Sequence, residues 1–224
     1  AVWLVLSRFA GERLAAGGLP ASRMRVHPHF LADPGPRLVA PSESDLVLFV
    51  GRLVPEKGVT VAVEAWCQAR PHGLELAIIG DGPLRAELVD RLPSGVRLLG
   101  QISRQDVSEL MARARALLFP SLWYECQPMA VVEAMGHGLP VLASELGAIP
   151  ELVGADGWGI HLPPGDVGAW AGALSALDVG DGLDVAGRSG RSRYLAGHTP
   201  AHALASLEAA YACARATAVE EVPA

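Results

Sequence analysis

Two glutamates, Glu125 and Glu133, stand eight positions apart in the stretch SLWYECQPMAVVEAMGHG, residues 121–138. Trp123, Tyr124, Met129, Val131 and Val132 make this an apolar neighbourhood, and a carboxylate there loses hydration unless something hydrogen-bonds it. Pro128 suits the first position of a helix. The N–H groups near Gln127, Met129 and Ala130 then lack partners inside that helix and can meet an anion. Glu125 would lie just before the helix start and Glu133 about one and a half turns inside it. Two carboxylates are poor ligands for phosphate but good ones for hydroxyls, because one carboxylate can accept from both hydroxyls of a diol. A nucleotide-diphosphate sugar carries phosphates in its middle and diols at both ends.

Two further stretches could serve such a ligand. GRLVPEKGV places Arg52 and Lys57 after a strand-like LVLFV, with Gly51 allowing a tight turn between them and the strand. Two cations beside a helix start suit a diphosphate, although an Arg–Lys pair taken alone is more often solvated surface charge. GDGPLRAEL follows LELAII, and its Gly80 and Gly82 allow a turn before Pro83 opens another helix. Gly-x-Gly by itself is a weak signal, since it lacks the third glycine of a dinucleotide fingerprint.

These loops need a frame. Apolar runs at 2–6, 24–26, 46–50, 74–79, 96–99, 116–119, 141–143 and 159–162 alternate with amphipathic stretches at 7–16, 58–69, 84–92, 104–115, 128–135 and 167–177. Near-continuous apolar strands alternating with helices predict a doubly wound, Rossmann-like α/β fold, with a parallel sheet covered on both faces. Ligands of such sheets bind at the carboxyl ends of the strands. About six strands within residues 43–200 are expected to form one sheet. Residues 32–45 read as a linker and 178–190 as a Gly-rich surface loop. A long helix is expected from Pro200 to about 217, packed towards residues 1–31, and the closing VEEVPA reads as a frayed tail.

Composition limits the function. A net charge of −6 over 224 residues argues against a nucleic-acid binder. Cys67, Cys126 and Cys213 are scattered and odd in number, which fits reduced thiols in a cytoplasmic protein better than disulfides or a zinc knuckle. No apolar run approaches the ~20 residues of a membrane span. The chain opens on Ala1 and passes directly into VWLVL, as the inside of a longer protein would.

The runs FVGRLVPEKGV, IIGDGPLRAEL and FPSLWYECQPMAVVEAMGHGLPV together resemble the donor-binding half of a family 4 retaining glycosyltransferase of the GT-B fold. The Glu-x7-Glu element from Glu125 to Glu133 is the most specific part of that resemblance, which runs from about residue 1 to 212. The resemblance implies roles. Arg52 and Lys57 would hold the donor diphosphate, with Gly51, Gly80 and Gly82 lining the nucleotide. Glu133 would bind the ribose hydroxyls and Glu125 would face the donor sugar, beside the amides of Gln127, Met129 and Ala130. Ile102 would fall near the base. Arg52, Lys57 and Glu125 are the expected catalytic set. No metal or other cofactor is expected. The resemblance further divides the chain into the end of an N-terminal acceptor domain (1–31), a linker (32–45), the donor domain (46–199) and a C-terminal helix and tail (200–224).

The expected partners are a UDP-, GDP- or ADP-sugar and an acceptor, with any peripheral membrane contact confined to the absent N-terminal domain. One departure stands out: His29 occupies the place of the family's asparagine near the linker. Two other readings remain open, a nucleotide-sugar binding module without transfer and, more weakly, a GT-B sugar-nucleotide epimerase. Other conspicuous residues are expected to carry no chemistry. His137 reads as a cation favoured by a helix C-terminus, and His198 and His202 as a surface helix. Trp158, Trp170 and Tyr211 read as packing residues, and Asp81 as a polar rim.

Overall fold

A computed structural model describes residues 1–154, 157–177 and 182–220, the last four by backbone alone. Strands β1 (Trp3–Val5), β2 (Met24–Val26), β3 (Leu46–Val50), β4 (Glu75–Ile79), β5 (Val96–Gly100), β6 (Ala116–Phe119), β7 (Val141–Ser144) and β8 (Gly159–Leu162) alternate with helices. The helices are α1 (Arg8–Ala16), α2 (Val59–Ala69), α3 (Arg85–Val89), α4 (Arg104–Met111), α5 (Met129–Gly136), α6 (Ile149–Val153), α7 (Val167–Ala176), α8 (Gly182–Gly197) and α9 (Pro200–Glu220).

The main sheet has six strands in the order β5-β4-β3-β6-β7-β8, and every pairing is parallel. The doubly wound fold expected from the alternation is therefore present. Period-2 side-chain direction splits each strand between two cores. Val47, Phe49, Leu76, Ile78, Ala116 and Leu118 face α2, α3 and α7, around buried Trp66 and Trp170. Leu48, Ala77, Ile79, Leu117 and Phe119 face α4, α5, α6 and α8, around Trp158 and Tyr194. Winding reverses between β3 and β6, and the crevice at their carboxyl ends is where this architecture receives ligands.

β1 and β2 pair parallel in a separate small sheet, joined by α1. The Glu151 carboxylate of α6 caps α1, accepting from the backbone N–H of Arg8 (2.9 Å) and Phe9 (2.5 Å). Helix α9 packs back as expected, with Ser206 Oγ 3.2 Å from His27 Nδ1 and Arg25 donating to Cys213 Sγ at 3.2 Å. Residues 32–45 are held by Arg37, which donates to the carbonyls of Val39 (2.7 Å) and Ala114. Burial pulls its guanidinium down to about 10.

Several expectations are corrected. The Gly-rich stretch from residue 182 is part of helix α8 and not a loop; residues 178–181 lie outside the described residues, as do 221–224 of the expected tail. Gly187 and Gly190 allow the close approach, because a Cβ on them would stand 2.4 Å from the Gly138 carbonyl oxygen and 2.8 Å from the Trp158 ring. Helix propensity is here overridden by packing. Tyr211 is exposed. His198 is buried, donating from Nδ1 to the His29 carbonyl at 2.8 Å. His137 is also buried, and burial reinforced by Arg37 and Arg191 pushes it down to about 4. It is therefore neutral, with Nε2 3.0 Å from Ser108 Oγ. Trp158 and Trp170 are fully buried, as expected.

Candidate functional site

Three strand-end loops are pressed together through glycines. After β3, the chain turns at Gly51 and runs to a short 3-10 turn, Pro55–Lys57, closed by Gly58 at φ +68. A Cβ on Gly58 would stand 1.9 Å from the Pro120 carbonyl oxygen of the loop after β6. After β4, Gly80 adopts φ +133, and a Cβ there would stand 1.9 Å from the Gly51 carbonyl oxygen. Gly80 N–H reaches the Gly100 carbonyl at 2.8 Å and Gly51 N–H the Ile79 carbonyl at 3.0 Å. The site loops thus meet backbone to backbone, which no side chain would permit.

This contact brings together residues far apart in sequence. Lys57 Nζ donates to Glu125 Oε1 at 2.5 Å, with side chains 25% and 13% exposed. Ser121, itself buried, donates to the same oxygen at 3.0 Å. Leu122 N–H bonds the Glu56 carbonyl at 2.8 Å, and Ala148 N–H the Glu125 carbonyl at 3.1 Å. Lys57 Nζ also lies 5.8 Å from the centroid of the Phe119 ring. Glu125 is therefore a fixed acceptor with one of its oxygens doubly engaged, and Lys57 a partly shielded cation beside it. Arg52 is exposed on the same loop and has no side-chain partner among the described residues.

Helix α5 begins after Pro128, whose carbonyl accepts from Val131 (3.1 Å) and Val132 (3.2 Å). The N–H groups of Met129 and Ala130 precede the first of these bonds and remain for a ligand. The side chain of Gln127 is committed elsewhere, accepting from the His29 N–H, so only its backbone can serve this helix start. Asp81 is exposed, and its carboxylate accepts from Gly82 N–H at 2.7 Å. Ile102 packs partly buried against the core on the α4–α5 side.

Glu133 lies deeper, half-buried on α5. It lines a cleft of about 500 Å³ with Val50, Arg104, Val107, Ser108 and His137. Its carboxylate has no hydrogen-bond partner among the described residues. Burial raises its carboxyl above the usual 4.5, and Arg104 partly offsets this. Such a group costs stability once it ionises: the penalty is absent below 4.5 and complete above the raised value. Glu133→Gln is therefore expected to melt above the parent at pH 7, with the difference closing as the pH falls below 4.5, by scanning calorimetry. A difference independent of pH would show that Glu133 is not held unpaired. A larger groove of about 620 Å³, between Trp66, Arg70 and Gly95, lies at the opposite end of the sheet, where β4 and β5 begin.

The structure thus joins Lys57, Ser121 and Glu125 directly and sets Glu133 in a separate cleft. Sequence reasoning missed Ser121 and the Lys57–Glu125 contact, for which sequence spacing offers no signal. It also treated Trp123 and Tyr124 as part of an apolar surround, whereas they are 62% and 55% exposed.

Comparison with known proteins gives a consistent set of likenesses. The pattern of the family "Glycosyl transferases group 1" matches residues 44–178. The amylovoran biosynthesis glycosyltransferase AmsK of Erwinia amylovora is 34% identical over 196 residues, covering 80% of this chain and 47% of that protein. The chain spans about half the length, or less, of the curated relatives it matches. Sucrose-phosphate synthase from Thermosynechococcus elongatus superposes with a TM-score of 0.80 at 25% identity, over 96% of this chain and 58% of that one. Anabaena HepE in complex with UDP-glucose gives a TM-score of 0.80 at 18% identity, over 96% of this chain and 64% of that one, a likeness of fold.

Proposed function

This chain belongs to the group 1 glycosyl transferases, and from that premise we propose that it is the donor-binding half of a retaining GT-B enzyme of family 4, holding a nucleotide-diphosphate sugar. The observation that carries the reading is the Lys57–Glu125 pair at the β3–β6 switch point, beside the amides of Met129 and Ala130 and the unpaired Arg52. In this reading the diphosphate lies against Lys57, Arg52 and the start of α5. Glu125 takes hydroxyls of the donor sugar through its remaining lone pairs, and Glu133 takes the ribose diol in its cleft, near Ile102 and the base. Transfer breaks the bond between the anomeric carbon and the diphosphate oxygen, the electron pair leaving on that oxygen. The acceptor hydroxyl oxygen meanwhile bonds the anomeric carbon and gives up its proton to the departing diphosphate. Lys57, Arg52 and the helix amides stand where this charge develops. Two cations and a helix start balance the phosphates, so we propose binding without a metal.

The acceptor is a hydroxyl compound held opposite this half. Among the described residues no helix is long and apolar enough to cross a membrane. Cys67 and Cys126 are exposed free thiols, which supports a reducing, cytoplasmic setting. Because the chain spans so little of its relatives, a second reading stands beside the first: these 224 residues bind donor and transfer nothing by themselves. Calorimetric titration with UDP-, GDP- and ADP-sugars tests both. At least one is expected to bind, with affinity unchanged by EDTA, and single-turnover transfer to added acceptor separates the two readings. Failure of all three to bind would refute the donor site.

A further inference from the structure

Leu122, Trp123 and Tyr124 stand exposed in succession immediately before Glu125. Burial of apolar side chains is favourable, so three consecutive apolar residues left in water ask for a reason. Slack in the loop is not the reason, for bonds of its backbone and of the Glu125 side chain tie it to the loops beside it. Leu122 N–H is bound to the Glu56 carbonyl at 2.8 Å, Trp123 N–H to Ser121 Oγ at 3.4 Å, and Glu125 to Lys57 and Ala148. Tyr124 is further set by Phe9 of α1, ring centroids 5.4 Å apart, and by Arg13 at 5.8 Å. The Trp123 indole meets no ring and no cation among the described residues. It is therefore an aromatic face open to solvent on a tethered loop, two residues from the carboxylate assigned to the donor sugar. Two Cα–Cα steps place it within about 7.6 Å along the chain of Glu125.

Pyranose rings carry an apolar C–H face ringed by hydroxyls, and an exposed aromatic plane beside a hydroxyl-binding carboxylate is complementary to that surface. We propose that Trp123, supported by Tyr124, is a stacking subsite for a pyranose of the acceptor, and that the acceptor is accordingly a saccharide. This rests on the donor reading above. It adds what that reading lacks, a contact by which this half of the enzyme positions the second substrate.

The test uses the five indole N–H signals of the chain in nitrogen-15-edited NMR, with Trp123 assigned from its loss in Trp123→Phe. Maltopentaose, chitotetraose and tetragalacturonate are each added to millimolar concentration. At least one is expected to shift the Trp123 signal, with binding about tenfold weaker in Trp123→Ala, partly restored in Trp123→Phe, and UDP affinity unchanged in both. The proposal is overturned if none of the three shifts Trp123 or if Trp123→Ala binds like the parent. It is equally overturned if the indole is covered by a second copy of the chain, seen as a dimer that Trp123→Ala dissociates. A parent that binds saccharide but neither UDP, GDP nor ADP would sink the donor reading instead, so the two failures are distinct.

Discussion

Lys57→Ala is expected to weaken binding of a nucleoside diphosphate by roughly 10- to 100-fold, the loss of one charged hydrogen bond at about 1.5–3 kcal/mol. Two effects act in the same direction. The ammonium that meets the phosphates is gone, and Glu125, mostly buried with Ser121 as its remaining side-chain donor, is left as an unpaired negative charge close to where the diphosphate would lie. The second effect can be separated from the first. Adding Glu125→Gln to Lys57→Ala removes the unpaired charge, so the double variant is expected to recover part of the lost affinity for UDP, which has no donor sugar for Glu125 to hold. Arg52→Ala, whose side chain is exposed, is expected to cost less because water screens it. Calorimetry with UDP and GDP decides. If Lys57→Ala and Arg52→Ala both bind as the parent does, the diphosphate lies elsewhere.

Gly80→Ala is expected to damage both fold and site. At φ +133 an L side chain is strained, and its Cβ would stand 1.9 Å from the carbonyl oxygen of Gly51. Neither atom is the tip of a flexible side chain, so one of the two loops must move. Strain and overpacking together should cost about 3 kcal/mol, which in a chain of this size lowers the melting temperature by roughly 6–12 °C. Arg52 and Lys57 stand on one of these loops and Gly82 on the other, so nucleotide affinity should fall as well. Gly73→Ala is the control: it also has positive φ, +70, but a Cβ there meets nothing within 4 Å. A Gly80→Ala protein as stable as Gly73→Ala would mean that the β3 and β4 loops are not in contact.

The central strands were legible because each is a short apolar run bounded by turn residues, and being buried on both faces requires no more than that. LVLFV and ALLF needed no tertiary information to be read as strands. Helix α8 was not legible, because Gly187 and Gly190 look like turn residues until Gly138 and Trp158 are seen against them. His137 looked like a charged helix end, and only the surrounding burial reveals it as neutral. At the site, the residue types were legible and their partners were not. Glu125 posed the question of what satisfies it, and part of the answer, Lys57, lies 68 residues away, where no periodicity can point. Trp123 and Tyr124 carry no mark in the sequence of whether they face core or water.

The reversal of winding between β3 and β6 has a consequence for the nascent chain. One edge of β3 finds its partner soon, since β4 follows within one helix. The other edge waits for β6: Val47 pairs with Ala116, and at ribosomal speeds of about 5–20 residues per second the intervening stretch takes roughly 3–14 s to emerge. Throughout that interval LVLFV presents an unsatisfied apolar strand edge to whatever is nearby. The same topological break that opens a crevice for a ligand in the finished protein is the most exposed seam of the unfinished one. Holdase chaperones would be expected to act there first.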